Sequence, residues 1–196
     1  MEELTTLRRI GSRLQGHPNM NEDPGVDMST GSLGQGISAA AGMALAAKKT
    51  GKTLRVYTLL GDGEIQEGEV WEALMFAHHY GLDNLCVIVD NNGLQIDGKI
   101  DEVMSPYPIP EKLAAFGLHV VEIDGHDFRQ MERAFAEARE TKGVPTAIVM
   151  KTVKGKCISY MENVADWHGK APNDAEYAQG MAELEALYKR LEATEA

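Results

Sequence analysis

Four short runs of apolar and β-branched residues constrain this chain more than any other feature: residues 54–60, 85–89, 119–123 and 146–151. Their apolarity is continuous rather than alternating, which reads as strands buried on both faces, as in a parallel sheet. Helical stretches at 69–80, 110–116 and 128–141 lie between or after them. Strands alternating with helices predict an α/β fold: a doubly wound, mostly parallel sheet flanked by helices. At 196 residues with 43% apolar content, the chain has the size and composition of one domain with a sizeable core.

Charge and cysteine content narrow the function classes. Nineteen Lys and Arg against thirty Asp and Glu give a formal charge of −11. That balance argues against nucleic acid or an anionic membrane surface as partner. Cys86 and Cys157 cannot form a disulfide framework, and their spacing resembles no metal knuckle. Cys86 falls inside an apolar run and reads as a buried, inert thiol. No apolar stretch approaches a membrane span and the N-terminus has no leader pattern, so a cytoplasmic, reducing location is expected.

Residues 36–49 are rich in alanine, which favours a helix and would let it lie close to the sheet or a second helix. Residues 154–172 form a long polar connection, a length that in compact domains is usually functional or disordered. Residues 174–193 read as an acidic amphipathic helix whose stripe, Leu184, Leu187, Tyr188 and Leu191, is assigned to core or interface packing. His78 and His79 close the 69–80 helix, where a cation complements the dipole.

The chemistry concentrates where strands should end. Gly61-Asp62-Gly63 follows the first run, and ligands of open α/β sheets gather at the carboxyl ends of strands. An Asp between glycines can reach a cation while bare backbone admits a phosphate, although Gly-Asp-Gly also makes a good turn. Asn91-Asn92-Gly93 follows the second run, with 27 residues separating Gly63 from Asn91. That is room for one helix and one return strand, so two parallel neighbours would end side by side with Asp62 and Asn92 at one spot. An Asp oxygen, an amide oxygen and a loop carbonyl make a hard oxygen site of the kind Mg²⁺ prefers.

This pair of turns resembles the thiamine-diphosphate motif, and the surrounding residues resemble transketolase. The likeness rests on Gly16-His17-Pro18, on Ser29-Thr30-Gly31-Ser32-Leu33-Gly34-Gln35-Gly36 and on Gly61-Asp62-Gly63-Glu64-Ile65-Gln66-Glu67-Gly68. Asn92-Gly93-Leu94-Gln95-Ile96-Asp97-Gly98 and Ile123-Asp124-Gly125-His126-Asp127 add to it, so that it covers about residues 7–187. It is to the diphosphate-binding, N-terminal domain, especially the form encoded by a gene of its own in split transketolases. The chain is expected to be one such domain, N-terminally short.

The resemblance implies thiamine diphosphate with Mg²⁺ (or Ca²⁺ or Mn²⁺) as cofactors. It implies Asp62, Asn92 and the carbonyl of Leu94 as metal ligands, and Gly61 and Gly63 at the diphosphate. Gly31, Ser32 and Leu33 match the loop that contacts the thiamine rings. His17 matches a histidine that binds the donor sugar, and Glu67 and Glu72 match acids at a dimer interface that couple two active sites. A histidine that the family places in the loop after the fourth strand falls at Ala165 here; His168 is the candidate substitute. Gly-Ser-Gly-His-Pro and Lys-Gly-His segments that precede this domain in the family have no counterpart in the 196 residues.

The implied function is transfer of a two-carbon ketol unit between sugar phosphates, with homodimerisation. A separate C-terminal subunit would carry the pyrimidine-binding domain and its activating glutamate. A truncated, catalytically silent cofactor-binding or assembly module is the alternative. An unrelated nucleotide-binding α/β protein is disfavoured, because no Gly-x-Gly-x-x-Gly or P-loop follows the first strand.

Overall fold

The computed structural model describes residues 2–195. Strands β1 (Val56–Gly61), β2 (Leu85–Asn91), β5 (His119–Asp124) and β6 (Thr146–Lys151) form one wholly parallel sheet in the order β1-β2-β6-β5. The two-residue strands β3 (Leu94–Gln95) and β4 (Gly98–Lys99) pair antiparallel as a separate ribbon. Helices α1 (Gln35–Lys49), α2 (Gly68–His79), α3 (Ile100–Val103), α4 (Ile109–Ala115), α5 (Phe128–Glu140) and α6 (Asp174–Glu195) complete the described chain with three short 3₁₀ turns.

The continuous apolar runs are explained by the period of the strand. Leu85, Val87 and Val89 of β2, with Ala147 and Val149 of β6, face the core shared with α1, α2 and α4. Cys86 and Ile88, with Ile148 and Met150, face α5. Alternate residues point to opposite sides, and both sides are apolar because helices cover both. Ala40, Ala41 and Ala44 of α1 lie in one core with Ala73 and Ala77 of α2, and their small size brings the two helices together against β1. Strands β1 and β5 depart from the expectation of burial on both faces, because both are edge strands. Strand β1 starts at Val56 rather than Leu54, with Tyr57 and Leu59 on the α5 side 46% and 67% exposed, and in β5 only Ile123 is buried while Glu122 is exposed.

Of the two roles expected for the α6 stripe, core or interface packing, the first is corrected. Leu184, Tyr188 and Leu191 are exposed, Leu187 is half-buried and, among the described residues of the helix, only Gly180 is buried, so the stripe is not core. The helix is tied down through Glu183, which accepts hydrogen bonds from the Ser159 N–H (2.7 Å) and hydroxyl (2.6 Å). His78 does fall in the last turn of α2, and its ring fills the space over Gly117. A Cβ there would collide with Nδ1, and φ is +84°, so position 117 requires glycine on two counts. No described helix is long and apolar enough to cross a membrane.

Burial pushes the Cys86 thiol up to about 11, while Cys157 is exposed. The thiolate is the reactive form, so the native protein should titrate one thiol with an aromatic disulfide reagent at pH 8. Both should react after unfolding. Prompt reaction of two thiols in the native state would contradict the placement of Cys86.

Candidate active site

Parallel pairing carries Gly61 opposite Asp90 at the carboxyl ends of β1 and β2, so the turns that follow emerge side by side. Asp62 is 1% exposed. Its Oδ1 accepts the Gly63 N–H at 2.9 Å, and its Oδ2 accepts the Gly93 N–H at 2.6 Å. The second bond crosses between the two turns. The Asp62 N–H in turn donates to the Asp90 carbonyl at 3.1 Å. Burial raises the carboxyl pKa of Asp62; the Gly93 and Gly63 N–H groups oppose the rise and the charge of Asp90 adds to it. A buried carboxylate in that condition gains from a cation beside it.

The second turn is held from several directions. Asn92 Oδ1 accepts the Leu94 N–H at 3.0 Å, and the Tyr107 hydroxyl donates to Asn91 Oδ1 at 2.7 Å. The Thr152 hydroxyl, just past β6, donates to Asp90 Oδ1. Gly63 approaches the ribbon so closely that a Cβ on it would lie 3.2 Å from the Gln95 Cβ. Gln66 locks that approach, its Nε2 donating to Gln95 Oε1 at 2.7 Å and to the Met104 carbonyl at 2.6 Å. Gly61, Asp62, Gly63, Asn92 and Leu94 are therefore one cluster.

A second group assembles before α1. His17, Gly31 and Ser32 line one cleft of about 470 Å³ together with Ser29 and Gln35. The His17 ring packs over Gly31, where a Cβ would be only 2.5 Å from its Cγ. Leu33 is 58% exposed at the same loop. Glu67 precedes α2 and packs its Cβ 2.9 Å from where a Cβ on Gly34 would stand, whereas Glu72 lies further along α2 on its exposed face. His168 ends the 3₁₀ turn Ala165–His168, which packs against the β3–β4 ribbon and so belongs to the same end of the sheet. A hollow of similar size, about 480 Å³, opens at the ends of β5 and β6 between Asp124, His126 and Lys151; it contains none of the residues expected at the site.

The donor chemistry suits a hard divalent cation. Asp62 offers carboxylate oxygens with lone pairs beyond its two N–H bonds, Asn92 an amide oxygen and Leu94 a carbonyl. Among the described residues no three His, Cys, Asp or Glu side chains form a metal cluster. The expected ligand set contains only one such residue, so phosphate oxygens and water would have to complete it. The ribbon, Gln66, Tyr107 and Thr152 were not anticipated from sequence: the ribbon strands are only two residues long, and the other three act through partners 16 or more residues away.

A wholly parallel sheet with an acid-and-amide pair of turns at the carboxyl ends of two neighbouring strands defines the class: an open α/β domain of the kind that gathers ligands at that edge. The thiamine diphosphate-binding domain of transketolase matches residues 1–187, and the chain belongs to that family. It is 40% identical over 191 residues to one subunit of the apulose-4-phosphate transketolase of Phocaeicola vulgatus, covering 97% of this chain and 68% of that protein. It is 46% identical over 171 residues to the transketolase of Homo sapiens, covering 86% of this chain and 26% of that one. The crystal structure of transketolase from Campylobacter jejuni superposes with a TM-score of 0.86 at 31% identity, over 93% of this chain and 29% of that one. The chain thus spans about two-thirds of the subunit-type relative and under a third of the full-length enzymes.

Proposed function

We propose that this chain holds thiamine diphosphate and Mg²⁺ for a transketolase that transfers a two-carbon ketol unit between sugar phosphates. A separate subunit supplies the pyrimidine-binding domain. The observation that carries this reading is the Asp62–Gly93 hydrogen bond, which joins the two halves of the motif into one oxygen-lined site. The Phocaeicola vulgatus relative is named as one subunit of its transketolase, which supports a second polypeptide here. Its named substrate, apulose 4-phosphate, supports a sugar phosphate as ligand.

In this reading Asp62, Asn92 and the Leu94 carbonyl hold the cation, and Gly61 and Gly63 leave the backbone bare for the diphosphate. Gly31, Ser32 and Leu33 present a loop to the rings, with His168 at the ribbon as a further diphosphate contact. When bound, the cofactor supplies an electron sink for cleavage of the carbon–carbon bond beside a ketose carbonyl. His17, which lines the cleft, presents its ring to hydrogen-bond a sugar hydroxyl there. Titrating the chain with Mg²⁺ and thiamine diphosphate by calorimetry, with and without a pyrimidine-domain subunit, tests the reading. No saturable uptake in either case would refute it and favour the silent assembly module.

The exposed face of α2 supports the homodimer. Met75, Phe76 and Tyr80 are 54%, 37% and 44% exposed, with Phe76 and Tyr80 ring centroids 4.6 Å apart and Glu72 and His79 on the same face. An apolar stripe of this kind, facing itself across a two-fold axis, is self-complementary. Light scattering at micromolar concentration should report a dimer, and Phe76→Glu should shift it to monomer. A monomeric parent protein would remove this part of the proposal.

A further inference from the structure

Glu64 opens the 3₁₀ turn Glu64–Gln66 directly after the Gly61-Asp62-Gly63 segment. Helix α1, on the other side of the site, begins without a cap of its own. Gly34 stands at the N-cap in a left-handed conformation (φ 81°), makes no side-chain cap and is followed by no acid in the first turn. The first N–H groups of a helix need acceptors, and its positive end favours an anion. A side chain at Gly34 cannot supply one, because a Cβ there would meet Glu67 Cβ at 2.9 Å. The acceptor comes instead from residue 64. Glu64 Oε1 accepts the Gly34 N–H at 3.0 Å, and Oε2 accepts the Gly61 N–H at 3.0 Å.

One half-buried carboxylate thus bridges the residue that follows Gly31, Ser32 and Leu33 and the residue that precedes Asp62. Resting on the cofactor reading above, we propose that Glu64 is a positioning residue that fixes the ring-contacting loop relative to the cation-binding turn, so that a single ligand meets both. The two sides of the bridge differ in how much they depend on it. The Asp62 turn is also anchored by its N–H on the Asp90 carbonyl and by the Gly93 N–H on its carboxylate. The Gly34 N–H has Glu64 as its acceptor, so loss of the carboxylate loosens the loop, leaving the Gln35 side chain on Glu69 as its tie to α2, and spares the turn. Ligands that touch only the turn should not register the loss.

Inorganic diphosphate with Mg²⁺ is such a ligand, and thiamine diphosphate with Mg²⁺ engages both sides. Glu64→Gln keeps the side-chain length and one acceptor oxygen but turns an NH₂ toward the second N–H. By calorimetry, thiamine diphosphate affinity should fall about tenfold in Glu64→Gln and further in Glu64→Ala, while diphosphate affinity stays unchanged. Hydrogen exchange at the Gly34 amide should quicken in both variants. Should Glu64→Ala fail to fold, Glu64→Gln alone decides. Equal weakening of both ligands would mean a general structural role, and unchanged thiamine diphosphate affinity would mean no role; either overturns the inference. Wild-type protein that takes up neither ligand overturns the cofactor reading and the inference together, whereas lost selectivity in a binding wild type overturns the inference alone.

Discussion

Asp62→Ala is expected to abolish Mg²⁺-dependent uptake of thiamine diphosphate while the sheet remains folded. The side chain is buried, but its burial serves two backbone N–H groups and, in the proposed site, a cation, rather than packing. Alanine leaves the Gly93 and Gly63 N–H groups without their acceptors, a cost of about 1–3 kcal/mol for each that stays out of water, offset in part because a carboxylate with a raised pKa no longer has to be kept charged in the interior. The net change in stability should therefore be modest. The change in cofactor affinity should not be: removal of residues that merely support a metal ligand costs about 10–100-fold, and loss of the charged ligand itself should exceed that. Asn92→Ala should act in the same direction with a smaller effect, since it removes a neutral ligand and the bond to the Leu94 N–H. Calorimetry on the two variants, with melting temperature as the control for folding, measures both. Near-unchanged affinity in Asp62→Ala would remove the cation from this site.

The parts of the fold that were legible in the sequence are those where burial alone decides. Residues 85–89 and 146–151 read as strands because β2 and β6 are central and covered on both sides, which forces apolar residues at every position. Strand β1 lies at an edge, so the same apolar run there leaves Tyr57 and Leu59 in solvent. Apolarity permits burial on both faces and does not enforce it. The β3–β4 ribbon escaped because two-residue strands carry no period to detect. At the site, Asp62 and Asn92 were legible as a pair, since one helix and one strand span the distance between two parallel neighbours. The bonds that hold them were not. Gly34 and Glu64 are 30 residues apart, Asp90 and Thr152 are 62 apart, and no local pattern announces either pairing. On α6 the stripe is genuine, but periodicity cannot say whether anything covers it, and within the described residues little does.

The largest effect expected concerns turnover. The chain alone, saturated with Mg²⁺ and thiamine diphosphate and given a ketose phosphate donor and an aldose phosphate acceptor, should show no ketol transfer above background. In the proposed reading its residues hold the cation at Asp62 and Asn92 and present the Gly31 to Leu33 loop, beside the cleft that His17 lines. The match to the family is to the thiamine diphosphate-binding domain only, over residues 1–187. The carboxylate that activates the cofactor belongs, by resemblance, to the pyrimidine-binding domain. Positioned acid–base assistance is worth about 10²–10⁴-fold, and loss of a fixed geometry between reacting groups costs more on top. Cofactor affinity and activity should therefore separate: weak uptake by the chain alone, with turnover only once a pyrimidine-domain subunit is added. A coupled assay for the shortened ketose, run on protein freed of host transketolase, decides it. Robust turnover by the chain alone would show that one polypeptide carries the whole site.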